Sequence, residues 1–418
     1  MIKPMPVQPF KAYRYQDHRD MCNKICPPYD VVDQKEFLQL SAHSPFNAIH
    51  LTLNDPKAMD LDKKRSQQDF QKVQLLWNSW VEDKILQQDA RTQYYQSRDH
   101  FSVDQKTYAR NVLYALVHLD PKHGPKIIPH ERVLELPIQD RLKLLSQTQV
   151  QTSPIYLIFD DVNEELHGML SQNKDSMYSC RHPKENSQSF DFFVYDQEKE
   201  IENISSILSQ GNFLVADGHH RLETTRRYYQ NAGKESSAYV FAAIVSSKDP
   251  GVFLSSIHRG WESSTNFLTV VERLSTHFDI QEIHRDWDSF LASGAQMALD
   301  VLDRKKIFAL TYKARDQTNE ENITLEVPSV LLNHYILEEQ YGIHLDQSKD
   351  QKKMNYLNSL EAVQNYVIQD SKRVACWLRP LTFESLQKIC SKGYILPQKS
   401  TFFYPKIMSG FLFYKIDS

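Results

Sequence analysis

The sequence predicts a mixed fold, α/β or α+β, and three observations carry that reading. Short apolar runs such as Asn212-Phe213-Leu214-Val215 and Ala238 to Val245 have the length and composition of buried strands. Other stretches place apolar residues at three- and four-residue steps, the spacing of one helix face. The two kinds alternate along the chain, which argues against an all-β protein. A length of 418 residues with 41% hydrophobic content gives room for one large domain or two to three ordinary ones, each with its own core.

Taken in order, Pro9 to Tyr15 alternates like a strand and runs into Cys26-Pro27-Pro28-Tyr29-Asp30, where two prolines stiffen a loop. A long helix is expected from about Asp60 to Leu86, with Phe70, Val73, Trp77 and Trp80 on one face as core residues. Strands follow around Gln93 to Gln96 and Arg110 to Leu119, the second closed by the turn Asp120 to Gly124. After Ile127-Ile128-Pro129-His130-Glu131 come a helix from Gln139 to Gln147 and a strand from Pro154 to Phe159. The polar stretch Gln172 to Ser189 reads as a loop, Ser189 to Tyr195 as a strand and Glu198 to Leu208 as a helix stopped before Gly211. The apolar run from Asn212 then turns through Ala216-Asp217-Gly218-His219-His220-Arg221 into a helix that continues past Tyr229. From about Asn266 a helix–strand–helix pattern begins a second lobe, with Asp316 to Asn322 as a loop or hairpin tip. The expected division is therefore 1–262 and 263–418, the second part contributing a strand from Lys399 to Lys406.

A formal net charge of -4, with no block of like charge, provides no field for steering onto nucleic acid. Small molecules or proteins are the better expected partners. No apolar run is long enough to span a bilayer, and Met1 to Pro6 lacks the apolar stretch of a signal peptide, so a cytoplasmic location is expected. Cys22, Cys26, Cys180, Cys376 and Cys390 are an odd, sparse set, without the second close pair of a zinc site, and free thiols are expected.

The familiar nucleotide signatures are absent. Gly233-Lys234 lacks the spaced glycine of a P-loop, there is no G-x-G-x-x-G, and 11 glycines in all leave little for a glycine-cradled phosphate. His130-Glu131 fails as a zinc-protease helix because Leu134 stands four residues after His130. What remains is the turn from Asp217 to Arg221. A strand that turns on one glycine into a helix gathers backbone N–H groups and the positive helix end at one point. Two imidazoles and a guanidinium there, with the Asp217 carboxylate at the strand's end, are the chemistry of a phosphate-handling site. The plainer reading is a strand–helix connection with a capping histidine and Arg221 paired at the surface; adjacent histidines followed by arginine, beyond a buried strand, favour the site.

Three other clusters each admit a functional and a plainer reading. Glu131, after an apolar pair and a proline, fits a partly desolvated general base and fits a solvated turn glutamate equally well. Lys399, Ser400 and Thr401 would bind phosphate or carboxylate, or mark an edge strand with its lysines in solvent. His258-Arg259 ends an apolar strand, and a solvated strand end is the simpler account.

In their order, these blocks resemble domain-of-unknown-function family ten-fifteen, which is similar to the free serine kinases of the ParB/sulfiredoxin superfamily. The resemblance runs through Pro9-Phe10-Lys11, Pro27 to Val31, Pro129-His130-Glu131, Asp140-Arg141-Leu142, Ser153-Pro154-Ile155, Ala216 to Arg221, His258-Arg259, and Lys399 to Lys406. It implies a ParB/sulfiredoxin-like nucleotide-binding core with a large N-terminal elaboration and a C-terminal α/β lobe. It also implies a kinase that transfers phosphate from ATP or ADP, with Mg2+, to the hydroxyl of free L-serine, giving O-phosphoserine. Asp217 then takes part in phosphoryl transfer and would hold Mg2+, with Glu131 assigned as the second acid. Gly218, His219, His220, Arg221, Lys399, Ser400 and Thr401 would bind phosphates. His130, Arg141, Tyr29, Asp30, His258 and Arg259 would meet the substrate, and a homodimer is compatible. Two positions depart from the family pattern: Val133 replaces a hydroxyl residue and Gln151 an asparagine. These departures lend weight to the alternative, a nucleotide-binding regulatory or interaction protein without kinase turnover.

Overall fold

A computed structural model describes residues 5–53, 65–103, 106–181, 188–302, 305–313, 327–345 and 347–416. It is a mixed α+β structure in two compact units. The first is formed by the described residues up to Pro129, by Val133–Phe253 and by the residues from Phe403 onward; the second by His130–Arg132 and Leu254–Phe402. No helix among the described residues is long and apolar enough to cross a membrane.

The first unit is built on a nine-stranded sheet. Its strands are β1 (Val7–Gln8), β2 (Tyr94–Val103), β3 (Lys106–His118), β4 (Ile127–Ile128), β5 (Ile155–Phe159), β6 (Tyr178–Arg181), β7 (Ser189–Tyr195), β8 (Phe213–Asp217) and β9 (Tyr239–Ser246). They lie in the order β4-β8-β5-β9-β3-β2-β7-β6, with β1 paired to β3. The pairs β4–β8 and β5–β9 are parallel and the others antiparallel. Side chains alternate across a strand, so Leu113, Ala115 and Val117 of β3 share one face with Leu157 of β5, Val215 of β8 and Ala242 of β9, forming a continuous core. The register of β8 against β5 shifts between Val215 and Asp217, a local irregularity that re-aims the end of the strand.

Four of this unit's helices are α1 (Gln67–Glu82), α2 (Glu135–Thr148), α3 (Glu198–Leu208) and α4 (His219–Ala232). The amphipathic α3 buries Ile204, Ile207 and Leu208 in the sheet's core. The long helix expected from Asp60 to Leu86 is shorter at both ends. It starts on a capping box between Ser66 and Asp69, which satisfies the first turn's N–H groups, and residues 60–64 of that expectation lie outside the described residues. Phe70, Val73, Trp77 and Trp80 are buried as the spacing predicts.

Two other expectations are corrected here. The polar stretch Gln172 to Ser189 contains strand β6, held at the sheet's edge by β7. The thiols are not all free, because Cys22 is joined to Cys180 by a disulfide across a Cα–Cα distance of 5.8 Å, while Cys26, Cys376 and Cys390 are free and buried.

The second unit has a six-stranded antiparallel sheet of β10 (His258–Glu262), β11 (Phe278–His284), β12 (Met297–Val301), β13 (Lys306–Tyr312), β14 (Asn355–Leu357) and β15 (Arg373–Leu378), in the order β11-β13-β12-β15-β10-β14. Period-two alternation splits its core between two faces: Met297, Leu299 and Cys376 on one, Ala298, Ala375 and Trp377 on the other. His258 and Arg259 open β10 instead of ending a strand. The expected strand from Lys399 to Lys406 is confined to Phe402–Tyr404, and the loop expected over Asp316 to Asn322 lies outside the described residues.

Candidate functional site

The turn between β8 and α4 is held by charge as well as by backbone. Gly218 has φ 93°, in the left-handed region that glycine enters without steric cost. A Cβ there would stand 3.0 Å from Ile155 Cγ2 and 3.2 Å from the Arg221 guanidinium carbon, so glycine also lets Arg221 lie back across the turn. Arg221 donates to Asp217 Oδ2 and to the carbonyl of Pro154, and the Lys406 ammonium pairs with Asp217 Oδ1. Asp217 is therefore one carboxylate between two cations, in surroundings that leave its side chain 10% exposed, that of Arg221 12% and that of Lys406 14%. His219 is buried at the first position of α4, and His220 Nε2 accepts the N–H of Leu134 at 3.0 Å. That bond places the proton of a neutral His220 ring on Nδ1.

A second triad of the same kind lies in this unit. Asp140 accepts from Arg65 at 2.7 and 2.6 Å and from Arg141 Nε at 2.9 Å, and both guanidiniums reach the carbonyl of Thr52 at 3.3 Å. Burial works to raise the Asp140 carboxyl, but the charges of Arg141 and Arg65 prevail and hold it below its ordinary value. The Arg141 guanidinium stands 4.2 Å above the ring of Tyr29, whose phenol is pushed up to about 12 by burial, against the pull of Arg141.

Arg141 and Arg221, one from each triad, line the same cavity, which has an empty volume of about 470 Å3, part of it open to solvent. Leu144, Leu145, Ile155 and Val240 supply an apolar surface, and Tyr29, Ser153 and Thr224 supply hydroxyls. Among the described residues, no acidic side chain lines it. The Thr224 hydroxyl is buried and makes no hydrogen bond among the described residues. Gln151 also lines the cavity, but its amide is committed: it donates to the carbonyl of Tyr239 at 2.9 Å and accepts the N–H of Phe241 at 2.8 Å, fastening the first residues of β9. Asp30, next to Tyr29, is exposed.

The remaining predicted residues gather in the second unit. Glu131 Oε1 accepts the N–H of Thr401 at 3.0 Å and its hydroxyl at 2.9 Å, while Oε2 accepts the N–H of Lys399 at 3.2 Å. His130 Nε2 lies 2.8 Å from Thr401 Oγ1, and backbone bonds join His130 and Arg132 to Leu396. Ser400 receives a hydrogen bond from Ser329 and donates to the carbonyl of Pro397. Glu131 is thus a partly buried clasp on the Lys399–Thr401 turn and not a solvated turn glutamate. Arg259, 1% exposed, donates to the carbonyl of Lys399 at 2.8 Å and lies over the Tyr356 ring. His258 is buried as well, its Nδ1 accepting the N–H of Leu378 at 3.1 Å, and burial together with the neighbouring Arg259 charge lowers it to about 4. The solvated strand end expected for this pair is replaced by two buried side chains with backbone partners.

Both oxygens of Asp217 face cations, and among the described residues no three His, Cys, Asp or Glu side chains are arranged to hold a metal ion. The described residues do not fit a Mg2+ site built on Asp217. Sequence reasoning passed over Lys406, Arg65 and Thr224. The Pro405-Lys406 pair at the end of an aromatic strand was visible, but nothing local tied it to a carboxylate 189 residues away.

A search of curated proteins finds no match. Among solved structures, the chain is similar to a free serine kinase in complex with AMP at 15% identity, covering 69% of this chain and 86% of that one, with a TM-score of 0.37. It is similar to a conserved hypothetical protein from Pyrococcus furiosus at 16% identity, with 73% and 96% covered and a TM-score of 0.38. It is also similar to SbnI with a C-terminal truncation from Staphylococcus aureus at 10% identity, with 71% and 85% covered and a TM-score of 0.38. Residues 7–348 match the family described as "Protein of unknown function (DUF1015)", and the chain belongs to that family.

Proposed function

We propose that this member of the DUF1015 family is a nucleotide-dependent phosphotransferase acting on the hydroxyl of a small molecule, with ATP or ADP as donor and free L-serine as acceptor. The observation that carries the reading is the Asp217 triad at the N-terminus of α4, next to a cavity lined by Arg141 and Arg221 and, among the described residues, by no acidic side chain. Two cations and the first N–H groups of α4 stand together at this point, the setting in which a phosphate binds. In this reading Gly218, His219, His220 and Arg221 hold the donor's phosphates, Arg141 meets the acceptor, and Asp217 orients the acceptor hydroxyl. The hydroxyl oxygen bonds to the terminal phosphorus as the bond to the bridging oxygen breaks. The nucleotide leaves one phosphate shorter, and the hydroxyl proton passes to a carboxylate, Glu131 by assignment. Lys399, Ser400 and Thr401 are its further phosphate contacts, and Tyr29, Asp30, His130, His258 and Arg259 remain assigned to the substrate. Such transfer asks mainly for positioning and charge neutralisation.

The Glu131 clasp favours a second reading. Its oxygens already accept two N–H groups and a hydroxyl, so a base role requires the clasp to open. A nucleotide-binding regulatory or interaction protein without turnover needs no such opening. The deciding experiment incubates the purified protein with ATP or ADP, Mg2+ and L-serine and follows O-phosphoserine by 31P NMR. The kinase reading expects phosphoserine and its loss in Asp217→Ala. No product with either nucleotide, or an unchanged rate in the variant, refutes it. Calorimetric nucleotide binding without product supports the second reading.

A further inference from the structure

We propose that the Cys22–Cys180 disulfide is a redox switch that sets ligand affinity in the cavity lined by Arg141 and Arg221; the proposal rests on the phosphate-binding reading above. Two routes lead from the bond to that lining, both within the first unit. The first follows the chain. Cys22 lies on the single-turn helix Met21–Lys24, and the chain then runs through Pro27-Pro28 to Tyr29 in the cavity wall, where the Arg141 guanidinium stands over the ring. The two prolines make that connection stiff. The second route crosses to the C-terminal segment. Cys26 and Ser409 exchange both backbone hydrogen bonds, at 3.0 and 2.8 Å, and the Ser409 hydroxyl meets that of Ser153, on the lining, at 2.6 Å. The segments are packed without slack beside this bridge: a Cβ on Gly410 would stand 2.7 Å from Ala48 Cβ and 3.2 Å from Ile25 Cα. Close-packed contacts of this kind pass a displacement on.

Neither element joined by the disulfide is held firmly by its own structure. Strand β6 is polar, lies at the sheet's edge and has a ladder only to β7. The Met21–Lys24 helix is one turn long, has no side-chain cap, and is entered through Asp20 at φ 53°, a left-handed conformation that is strained for a residue with a Cβ. Two further ties join the segments, a His18 ring stacked on Tyr178 and a hydrogen bond from Arg14 to Met177 Sδ, and both lie near the surface. The covalent bond is therefore the strongest link between β6 and the residues that lead to Tyr29. Opening it loosens this segment without unfolding the unit. The Asn47 amide still holds the carbonyls of Asn23 and Ile25, and the continuous core of the sheet includes neither cysteine.

The chemistry is thiol–disulfide exchange with a dithiol reductant. Cys180 is half-buried, whereas Cys22 is 7% exposed, so Cys180 Sγ is the sulfur a thiolate reaches. A bond forms from the reductant to Cys180 Sγ as the bond to Cys22 Sγ breaks, and Cys22 leaves as a thiolate that takes a proton from water. The second thiolate of the reductant then closes its own disulfide and releases Cys180. The protein gains two electrons and two protons, and the dithiol is oxidised to a disulfide.

The test compares the oxidised protein, the protein reduced with dithiothreitol, and Cys180→Ser. Each is titrated calorimetrically with ADP and with pyrophosphate below its melting transition, its fold checked by circular dichroism. Hydrogen exchange of the peptide spanning Met21–Val31 is followed alongside. Reduction should speed exchange there and weaken both ligands by about tenfold, the effect of lowering the binding-competent fraction to about one tenth. Glutathione disulfide should restore the tighter state. Cys180→Ser should match the reduced protein and ignore dithiothreitol; if it fails to fold, the reduced wild type carries the comparison. Equal affinity in the oxidised and reduced wild type overturns the switch and leaves the phosphate-binding reading standing. A dithiothreitol effect of the same size in Cys180→Ser assigns it to another group and overturns the switch as well. Oxidised protein that binds neither ligand refutes the phosphate-binding reading, and the switch with it.

Discussion

Replacing Asp217 with asparagine separates an anion site from a structural ion pair, because the two predict opposite changes in binding. The amide keeps the carboxylate's shape and its acceptor toward Arg221 but removes its charge. Two cations then lose their counter-charge where they keep only 12% and 14% exposure. A fully buried pair broken in this way costs about 3–5 kcal/mol. The residual exposure and the retained hydrogen bond reduce this to about 2 kcal/mol, or a fall in melting temperature of a few degrees. For binding, the missing carboxylate no longer repels a phosphate. At a separation of about 5 Å and an effective dielectric near 20, that repulsion is roughly 3 kcal/mol before screening. A third of it surviving in solution would make pyrophosphate bind about fivefold tighter. The assay pairs differential scanning calorimetry with isothermal titration, alongside the phosphoserine measurement. Asp217→Asn should melt earlier, bind pyrophosphate more tightly and form no phosphoserine. Unchanged or weaker pyrophosphate binding would show that Asp217 does not compete with an anion for Arg221 and Lys406, and the reasoning would be refuted.

Other outcomes follow from the same geometry. Gly218→Ala should destabilise by about 1–2 kcal/mol through the left-handed backbone alone and, by pressing on Ile155 and Arg221, weaken pyrophosphate binding; thermal melts and titration check both, and an unchanged affinity would separate the turn from the site. His258 is held neutral at about 4 in the fold, against 6.5 in the unfolded chain, so the unfolded state binds the extra proton. Stability contributed above pH 6.5 should therefore drain away as pH falls from 6.5 to about 4, by roughly 3 kcal/mol, and His258→Asn, which keeps an acceptor for Leu378, should flatten that part of a urea-unfolding pH series. Under denaturing, non-reducing conditions a thiol reagent should label three cysteines, and five after reduction; five labels without reductant would contradict the Cys22–Cys180 bond.

Local pattern was legible where local physics decides. Helix Glu198–Leu208 and strand Ser189–Tyr195 match their predicted bounds, because an amphipathic stripe and an alternating aromatic strand are both bounded by polar turns. Helix α2 starts at Glu135, four residues before the expected Gln139, because Pro137 is tolerated within a first turn whose N–H groups need no partner in the helix. Strand β6 was missed because Tyr178-Ser179-Cys180-Arg181 is polar and owes its extended form to β7, not to its own composition. The site follows the same rule. Asp217 to Arg221 are contiguous and could be read together. Lys406 and the partner of Cys22 enter through pairings 158 or more residues apart, which no short-range spacing encodes.

The charge of the cavity also constrains the acceptor. Two triads, Arg65-Asp140-Arg141 and Arg221-Asp217-Lys406, each send an arginine to the same lining. A phosphate or a carboxylate is matched there. The ammonium of a free amino acid is not, since it would need a carboxylate and the described residues of the lining offer none. If serine is the acceptor, its carboxylate is the end that Arg141 can receive, and its ammonium must be met from outside the cavity. Asp30 is the exposed carboxylate adjoining Tyr29 at that lining. On the proposed reading, discrimination between an amino acid and a hydroxy acid of the same size is expected to turn on Asp30, and affinity for the nucleotide on the Asp217 triad. Donor binding and acceptor choice are consequently separable by mutation in the first unit alone.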